Sequence, residues 1–189
     1  MNNNITFISG PMFSGKSTAL LQRMEKYLYA KKKILLIRPE KDNRGYFTHS
    51  ENSLEKLKQK GLSILEVKRI DESFIKSLEK ENYKAIFIDE YFMIPGAYLF
   101  CNNFTSDIYF AGLLASSEGT VFEEAKKILP FCNSIKFMQA VCVYCGEEAN
   151  MSLYVGETKK KQSVVVDTNN DLYKPVCRKC WFTLKKSKT

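Results

Sequence analysis

The 189-residue chain contains no run of about 18 uninterrupted apolar residues, the length a helix needs to cross a bilayer, so no membrane span is expected. Its opening residues, MNNNITFISG, lack a basic stretch followed by an apolar one. The expectation is a cytoplasmic chain without a secretory leader. There is no internal repeat and no low-complexity linker, which leaves one ordinary domain with at most a small appendage. Histidine is nearly absent: the single one, His49, sits beside Thr48 in a polar stretch, far from every cysteine. A hydrogen-bonded or surface role is expected for it, and no histidine is at hand to complete a metal site.

Present instead are a net charge of +8 and six cysteines. Part of the charge lies in Lys31-Lys32-Lys33 and Lys159-Lys160-Lys161. Such runs are ordinarily a solvated face, and they also attract polyanions, nucleic acid or a nucleotide. Short apolar runs alternate with helical spacing. Strands are predicted over 5–9, 33–39, 62–67, 84–90 and 107–114, and helices over 17–30, 53–61, 72–82 and 122–131, the last cut at Pro130. Strands apolar along their whole length, alternating with helices, predict an α/β fold: a parallel sheet covered on both faces. Near residue 140 the pattern changes to cysteine pairs with short β runs such as SLYV and SVVV. Residues 1–140 are therefore read as the main domain and 141–189 as a small metal-stapled β appendage.

Gly10, Pro11, Met12, Phe13, Ser14, Gly15, Lys16 and Ser17, followed by Thr18, fit G-x-x-x-x-G-K-[ST] at every fixed position. Glycines allow successive N–H groups to turn inward at phosphate oxygens, and the following helix adds its positive end. Lys16 is placed for the β/γ-phosphates and the Ser17 hydroxyl for Mg²⁺. A predicted strand before and helix after are the context this motif requires. Binding of a nucleoside triphosphate is the firmest functional expectation.

The strand AIFIDE ends in Asp89 and Glu90. Ligands of open α/β sheets gather at the carboxyl ends of strands, so both acids should face the phosphate loop. Asp89 is read as the group holding Mg²⁺, directly or through water, which leaves Glu90 to act on the nucleophile. After the second strand come Asp42 and Arg44; arginine is the natural clamp for a transferring phosphoryl group.

Cys142-x2-Cys145 and Cys177-x2-Cys180 are two knuckles of identical spacing, while Cys101 and Cys132 stand alone. Four thiolates would close one tetrahedral, structural metal site. A thioredoxin-like redox motif is the competing reading.

These segments together (GPMFSGKST, KDNR with TH, IDE, AVCVYC and VCRKC) stand in the order and spacing of the type II thymidine kinases, and the chain resembles that family from about Ile5 to about Cys180. The resemblance implies a RecA-like phosphate-loop core and transfer of the γ-phosphoryl of ATP, with Mg²⁺, to the 5′-hydroxyl of a pyrimidine deoxynucleoside. It implies that Glu90 takes the proton from that hydroxyl and that Asp42 and Arg44 lie near the transferring phosphate, Asp42 with the magnesium. It makes the four cysteines ligands of one structural zinc. The segment between the knuckles corresponds to a lasso closing over the base. Tyr173 is implied near the sugar, and Met12, Met93, Ser152, Val164, Val166 and Thr168 around the base. A homotetramer is also implied.

The chain departs from the family pattern on the base side. Tyr91-Phe92-Met93-Ile94 replaces a small residue, Gln and aromatics; Thr168-Asn169 replaces a Gly-Gly pair; and Ser117 stands where a phenylalanine is expected. A deoxynucleoside kinase is therefore weighed against three other readings, a zinc-ribbon ATPase acting on nucleic acid, a nucleoside-monophosphate kinase and an inactive relative of the kinases. The short chain argues against a nucleic-acid motor. Few arginines near the motifs argue against a nucleoside-monophosphate kinase, which needs several for its acceptor phosphate.

Overall fold

The apolar runs become parallel strands, and the amphipathic runs between them become the helices that cover the sheet. The computed structural model describes residues 4–40, 52–156 and 172–186. In chain order the elements are β1 (Ile5–Ser9), α1 (Lys16–Tyr29), β2 (Ile34–Pro39), α2 (Asn52–Gln59), β3 (Ser63–Val67), α3 (Glu72–Glu79), β4 (Ala85–Asp89), α4 (Phe100–Asn103), β5 (Asp107–Gly112), α5 (Glu123–Ile128), β6 (Ser134–Phe137), β7 (Ala140–Val141), β8 (Glu148–Ala149), β9 (Met151–Tyr154), β10 (Tyr173–Val176) and α6 (Arg178–Lys186).

Six strands form one sheet in the order β3-β2-β4-β5-β1-β6. Every neighbouring pair runs parallel. Period-two alternation divides the buried strands between two cores. Ile34, Leu36, Ala85, Phe87 and Tyr109 pack on one face with Leu20, Leu21, Met24 and Leu28 of α1 and Leu57 of α2. Leu35, Ile37, Ile86, Ile88, Ile108 and Phe110 pack on the other with Ile75 and Leu78 of α3, Phe100 of α4 and Ala125 and Ile128 of α5. This is the expected α/β class, with helices on both faces.

Boundaries shift where local chemistry intervenes. The fourth strand stops at Asp89 because Glu90 takes a left-handed conformation, φ 48° and ψ 42°. The fifth stops at Gly112, where a Cβ would meet the rings of Tyr91 and Phe92 at 3.0 Å. The helix expected over 122–131 ends at Ile128 and tightens into a single 3₁₀ turn over Leu129–Phe131 that contains Pro130. Helix α3 begins where the Asp71 carboxylate accepts the Phe74 N–H at 3.0 Å.

Strand β6 was not expected; its four residues are all exposed and pair only with β1. After it the chain builds two small antiparallel pairs, β7–β8 and β9–β10. With α6 they enclose a third core of Cys142, Ala149, Leu153, Val176 and Trp181. SLYV falls mostly on β9, while SVVV lies outside the described residues. Among the described residues no helix is long and apolar enough to cross a membrane.

Candidate functional site

The glycine-bounded loop joins β1 to α1. Gly15 caps the helix at φ 81°, and Phe13 shares the left-handed region at φ 63°. Gly10 has no room for a side chain: a Cβ there would lie 2.3 Å from the Met138 carbonyl oxygen and 2.6 Å from the Ser14 Oγ. Lys16 opens α1, is buried, and its Nζ donates to the Pro11 carbonyl at 2.8 Å. The lysine charge is thereby folded over the loop rather than extended into solvent. Ser17 is half-buried on the same first turn, Pro11 and Ser14 are buried, Met12 is half-buried, and Thr18 is exposed.

Strand register places the acids relative to this loop. Ile8 of β1 pairs with Ala111 of β5, and Ala111 pairs with Asp89 of β4. Asp89 thus sits two strand spacings, about 10 Å, across the sheet from the end of β1. Asp89 and Glu90 are both buried. Among the described residues, Glu90 is one of four non-glycine residues with positive φ, and the only buried one of them. A buried carboxylate held in a sparsely populated conformation makes Glu90 a candidate functional position, because the surrounding structure has to sustain its cost.

Next to it, burial pushes up the pKa of the Tyr91 hydroxyl, which donates to the Leu113 carbonyl at 2.6 Å. Phe92 stacks on Phe122 at 4.6 Å between ring centroids. Met93 is half-buried at the end of the 3₁₀ turn Tyr91–Met93. From the appendage, the buried Ser152 on β9 reaches the loop: its Oγ accepts the Met12 N–H at 3.1 Å. Tyr173, half-buried, opens β10 with its ring 5.3 Å from that of Tyr154. The structure therefore brings Met12 and Ser152 together. Asp42, Arg44, His49, Val164, Val166, Thr168 and Asn169 lie outside the described residues.

The four knuckle cysteines converge, with their sulfur atoms all within 4.8 Å of one another. Cys145 and Cys177 are 3.6 Å apart, close to the roughly 3.8 Å edge of a tetrahedron built on 2.3 Å zinc–sulfur bonds. Burial opposes ionisation of Cys142, yet N–H groups of Cys177, Tyr144 and Cys145 bring its thiol down to about 6. The Cys180 N–H points at the Cys177 sulfur at 3.4 Å. Four sulfurs converging among N–H donors fit a single divalent metal better than a redox pair, which needs only two. Cys101 and Cys132 lie apart from this cluster, and burial pushes their thiols up to about 12 and about 11.

Sequence reasoning missed Trp181. Its indole N–H donates to the Ser117 carbonyl at 2.9 Å. A signal was present, since Cys177, Cys180, Trp181 and Leu184 recur at helical spacing and all pack in the third core. The Tyr91–Leu113 bond and the approach of Met138 to Gly10 had no comparable signal.

Comparison with known proteins bears on this arrangement. The family model described as thymidine kinase matches residues 3–181. The thymidine kinase of rabbit fibroma virus (strain Kasza) is 32% identical over 189 residues, covering 95% of this chain and 96% of that protein. That of vaccinia virus (strain Western Reserve) is 30% identical over 185 residues, covering 95% and 97%. That of Amsacta moorei entomopoxvirus is 30% identical over 191 residues, covering 94% and 97%.

Proposed function

The chain belongs to the thymidine kinase family, and on that premise we propose that it transfers the γ-phosphoryl group of ATP to the 5′-hydroxyl of thymidine or a related pyrimidine deoxynucleoside. The observation that carries the reading is the buried, left-handed Glu90 at the end of β4, two strands from a loop with no room for a Cβ at Gly10.

In this reading the N–H groups of residues 10–15 and the start of α1 cradle the β- and γ-phosphates. Lys16 exchanges the Pro11 carbonyl for a phosphate oxygen and neutralises charge as the phosphoryl group moves. The Ser17 hydroxyl and the Asp89 carboxylate are the groups present to hold a magnesium ion, which when bound screens the β/γ oxygens. Asp42 and Arg44 are assigned to the same charge-stabilising set. Glu90 accepts the proton of the 5′-hydroxyl, and burial keeps competing water from it. Met12, Met93, Ser152, Val164, Val166, Thr168 and Tyr173 surround the base and sugar. Cys142, Cys145, Cys177 and Cys180 would hold one zinc, which when bound cross-links the two knuckles. We assign the active assembly to a homotetramer in the cytoplasm.

The test incubates the protein with Mg-ATP and each common nucleoside in turn and looks for the monophosphate. Formation of thymidine or deoxyuridine monophosphate is expected; ATP binding without any nucleoside product would overturn the assignment in favour of an inactive relative.

A further inference from the structure

Strand β5 lies between β1 and β4, so the chain leaving its carboxyl end emerges between the phosphate-loop strand and the strand that ends in Asp89. That chain folds into a small closed turn. Ala115 pairs with Val121, the Ser116 N–H donates to the Thr120 carbonyl at 2.9 Å, and the Gly119 N–H donates to the Ser116 carbonyl at 3.0 Å. From below, it is tied to the neighbours of Glu90 through the Tyr91 hydroxyl on the Leu113 carbonyl and the stacking of Phe122 on Phe92.

From the other side it is gripped by α6. The buried Trp181 donates its indole N–H to the Ser117 carbonyl, and its ring lies against Gly119, where a Cβ would touch it at 3.5 Å. The Lys185 ammonium lies over the same ring, 4.6 Å from its centroid. It also donates to the Glu118 carbonyl at 3.1 Å and pairs with the Glu118 carboxylate at 2.8 Å. Lys185 lies beyond the residues matched by the family model, which end at 181.

We propose that α6 is a positioning element for the acceptor side of the site: Trp181 and Lys185 lock the 114–122 turn beside Glu90, so nucleoside binding depends on the seating of the C-terminal helix. This rests on the kinase reading, with the turn bordering the nucleoside. Neither residue touches the reacting atoms; both act through the turn. The grip involves only the acceptor side, so it should leave the phosphate loop alone.

Trp181 is the sole tryptophan of the chain, so its emission reports the grip directly in the full-length, metal-loaded protein. Thymidine, but not ATP alone, is expected to change that emission. Trp181→Phe keeps most of the ring and removes only the N–H donor. It should raise the nucleoside KM about fivefold or more, the effect of one lost hydrogen bond. The KM for ATP, kcat, metal content and Tm should stay near wild type. Lys185→Ala should move the nucleoside KM in the same direction, and Lys185→Arg should restore it. Unchanged nucleoside KM in both Trp181→Phe and Lys185→Ala would overturn the proposal, as would a rise in both KM values together with a fall in Tm, the mark of a merely structural role.

Failure of the kinase reading is read separately, as absence of turnover by the wild type. The proposal is then judged by thymidine binding through Trp181 emission and by hydrogen exchange at the amides of Gly119 and Thr120. Exchange accelerated in Trp181→Phe and slowed by thymidine in the wild type supports it. Exchange that responds to neither overturns it.

Discussion

Replacing Glu90 should move stability and activity in opposite directions. Its backbone is left-handed, at φ 48° and ψ 42°. For a residue with a Cβ that conformation costs about 1–2 kcal/mol, and glycine adopts it freely. Glycine also loosens the unfolded chain, which returns about 0.5–1 kcal/mol of the gain. Glu90→Gly should therefore stabilise the fold by about 0.5–1 kcal/mol, and relief from burying a carboxylate acts in the same direction. In a chain of this size that is a Tm rise of about 1–4 °C. The same change removes the proposed general base, a loss of about 10²–10⁴ in rate, or about 2.7–5.5 kcal/mol of barrier. Glu90→Gln separates the two effects, because it keeps the strained backbone and loses the base: its Tm should stay near wild type while turnover falls as far. Calorimetry gives the first quantity and ADP release at saturating nucleoside the second. A Tm several degrees lower in Glu90→Gly would show that no strain is stored there. Near-normal turnover by Glu90→Gln would move the base elsewhere, with Asp42 the next candidate.

Lys16→Ala should abolish phosphoryl transfer while leaving fold and metal content intact, since its buried ammonium donates to the Pro11 carbonyl inside the loop the nucleotide would enter; normal turnover would remove the phosphate-loop argument. Gly10→Ala drives a methyl to 2.3 Å from the Met138 carbonyl, so titration calorimetry should find ATP affinity reduced at least tenfold, and wild-type affinity would refute the crowding. The purified protein should carry about one zinc per chain, and Cys142→Ser or Cys180→Ser should be insoluble or protease-sensitive; a fully folded metal-free protein would contradict this. Lacking the expected aromatic at Ser117, the base should lose roughly 1–3 kcal/mol of stacking, by analogy with nucleic-acid binders. Side-by-side kcat/KM values should then show thymidine used weakly and with low selectivity over deoxyuridine, whereas strong and exclusive use of thymidine would refute the reading.

The main sheet was legible because its strands are buried on both faces. A run such as Ile34–Pro39 has no polar side to hide, and its whole length reads as strand. The glycine-bounded loop between β1 and α1 and the acids at the carboxyl end of β4 fall where the sequence placed them, because such local segments follow residue type at fixed spacing. What escaped depends on partners distant in sequence. Strand β6 is short and fully exposed, so no hydrophobic pattern marks it, and only pairing with β1 makes it a strand. Residues 91–103 form short turns set by packing against α5 rather than by periodicity, as the Glu124 carboxylate accepting the Gly96 and Tyr98 N–H groups illustrates. The bond from the Met12 N–H to the Ser152 Oγ spans 140 positions and joins two segments whose sequences say nothing of each other.

The departures from the family pattern gain a different meaning once their contacts are known. Read one at a time, Tyr91, Phe92 and Ser117 look like separate losses around the base. In the fold they belong to one packing unit. The Tyr91 hydroxyl holds the Leu113 carbonyl, Phe92 supports Phe122, Gly112 fits against both rings, and the Ser117 carbonyl is held by Trp181. The Ser117 backbone is bonded to the indole, and the rings of Tyr91 and Phe92 pack against Gly112 and Phe122. Residues that change together because they touch need not signal decay, since compensating volume keeps a packed core intact. The crowded loop at Gly10 and the strained backbone at Glu90, which an inactive relative would have no reason to keep, favour an active kinase with an altered acceptor pocket.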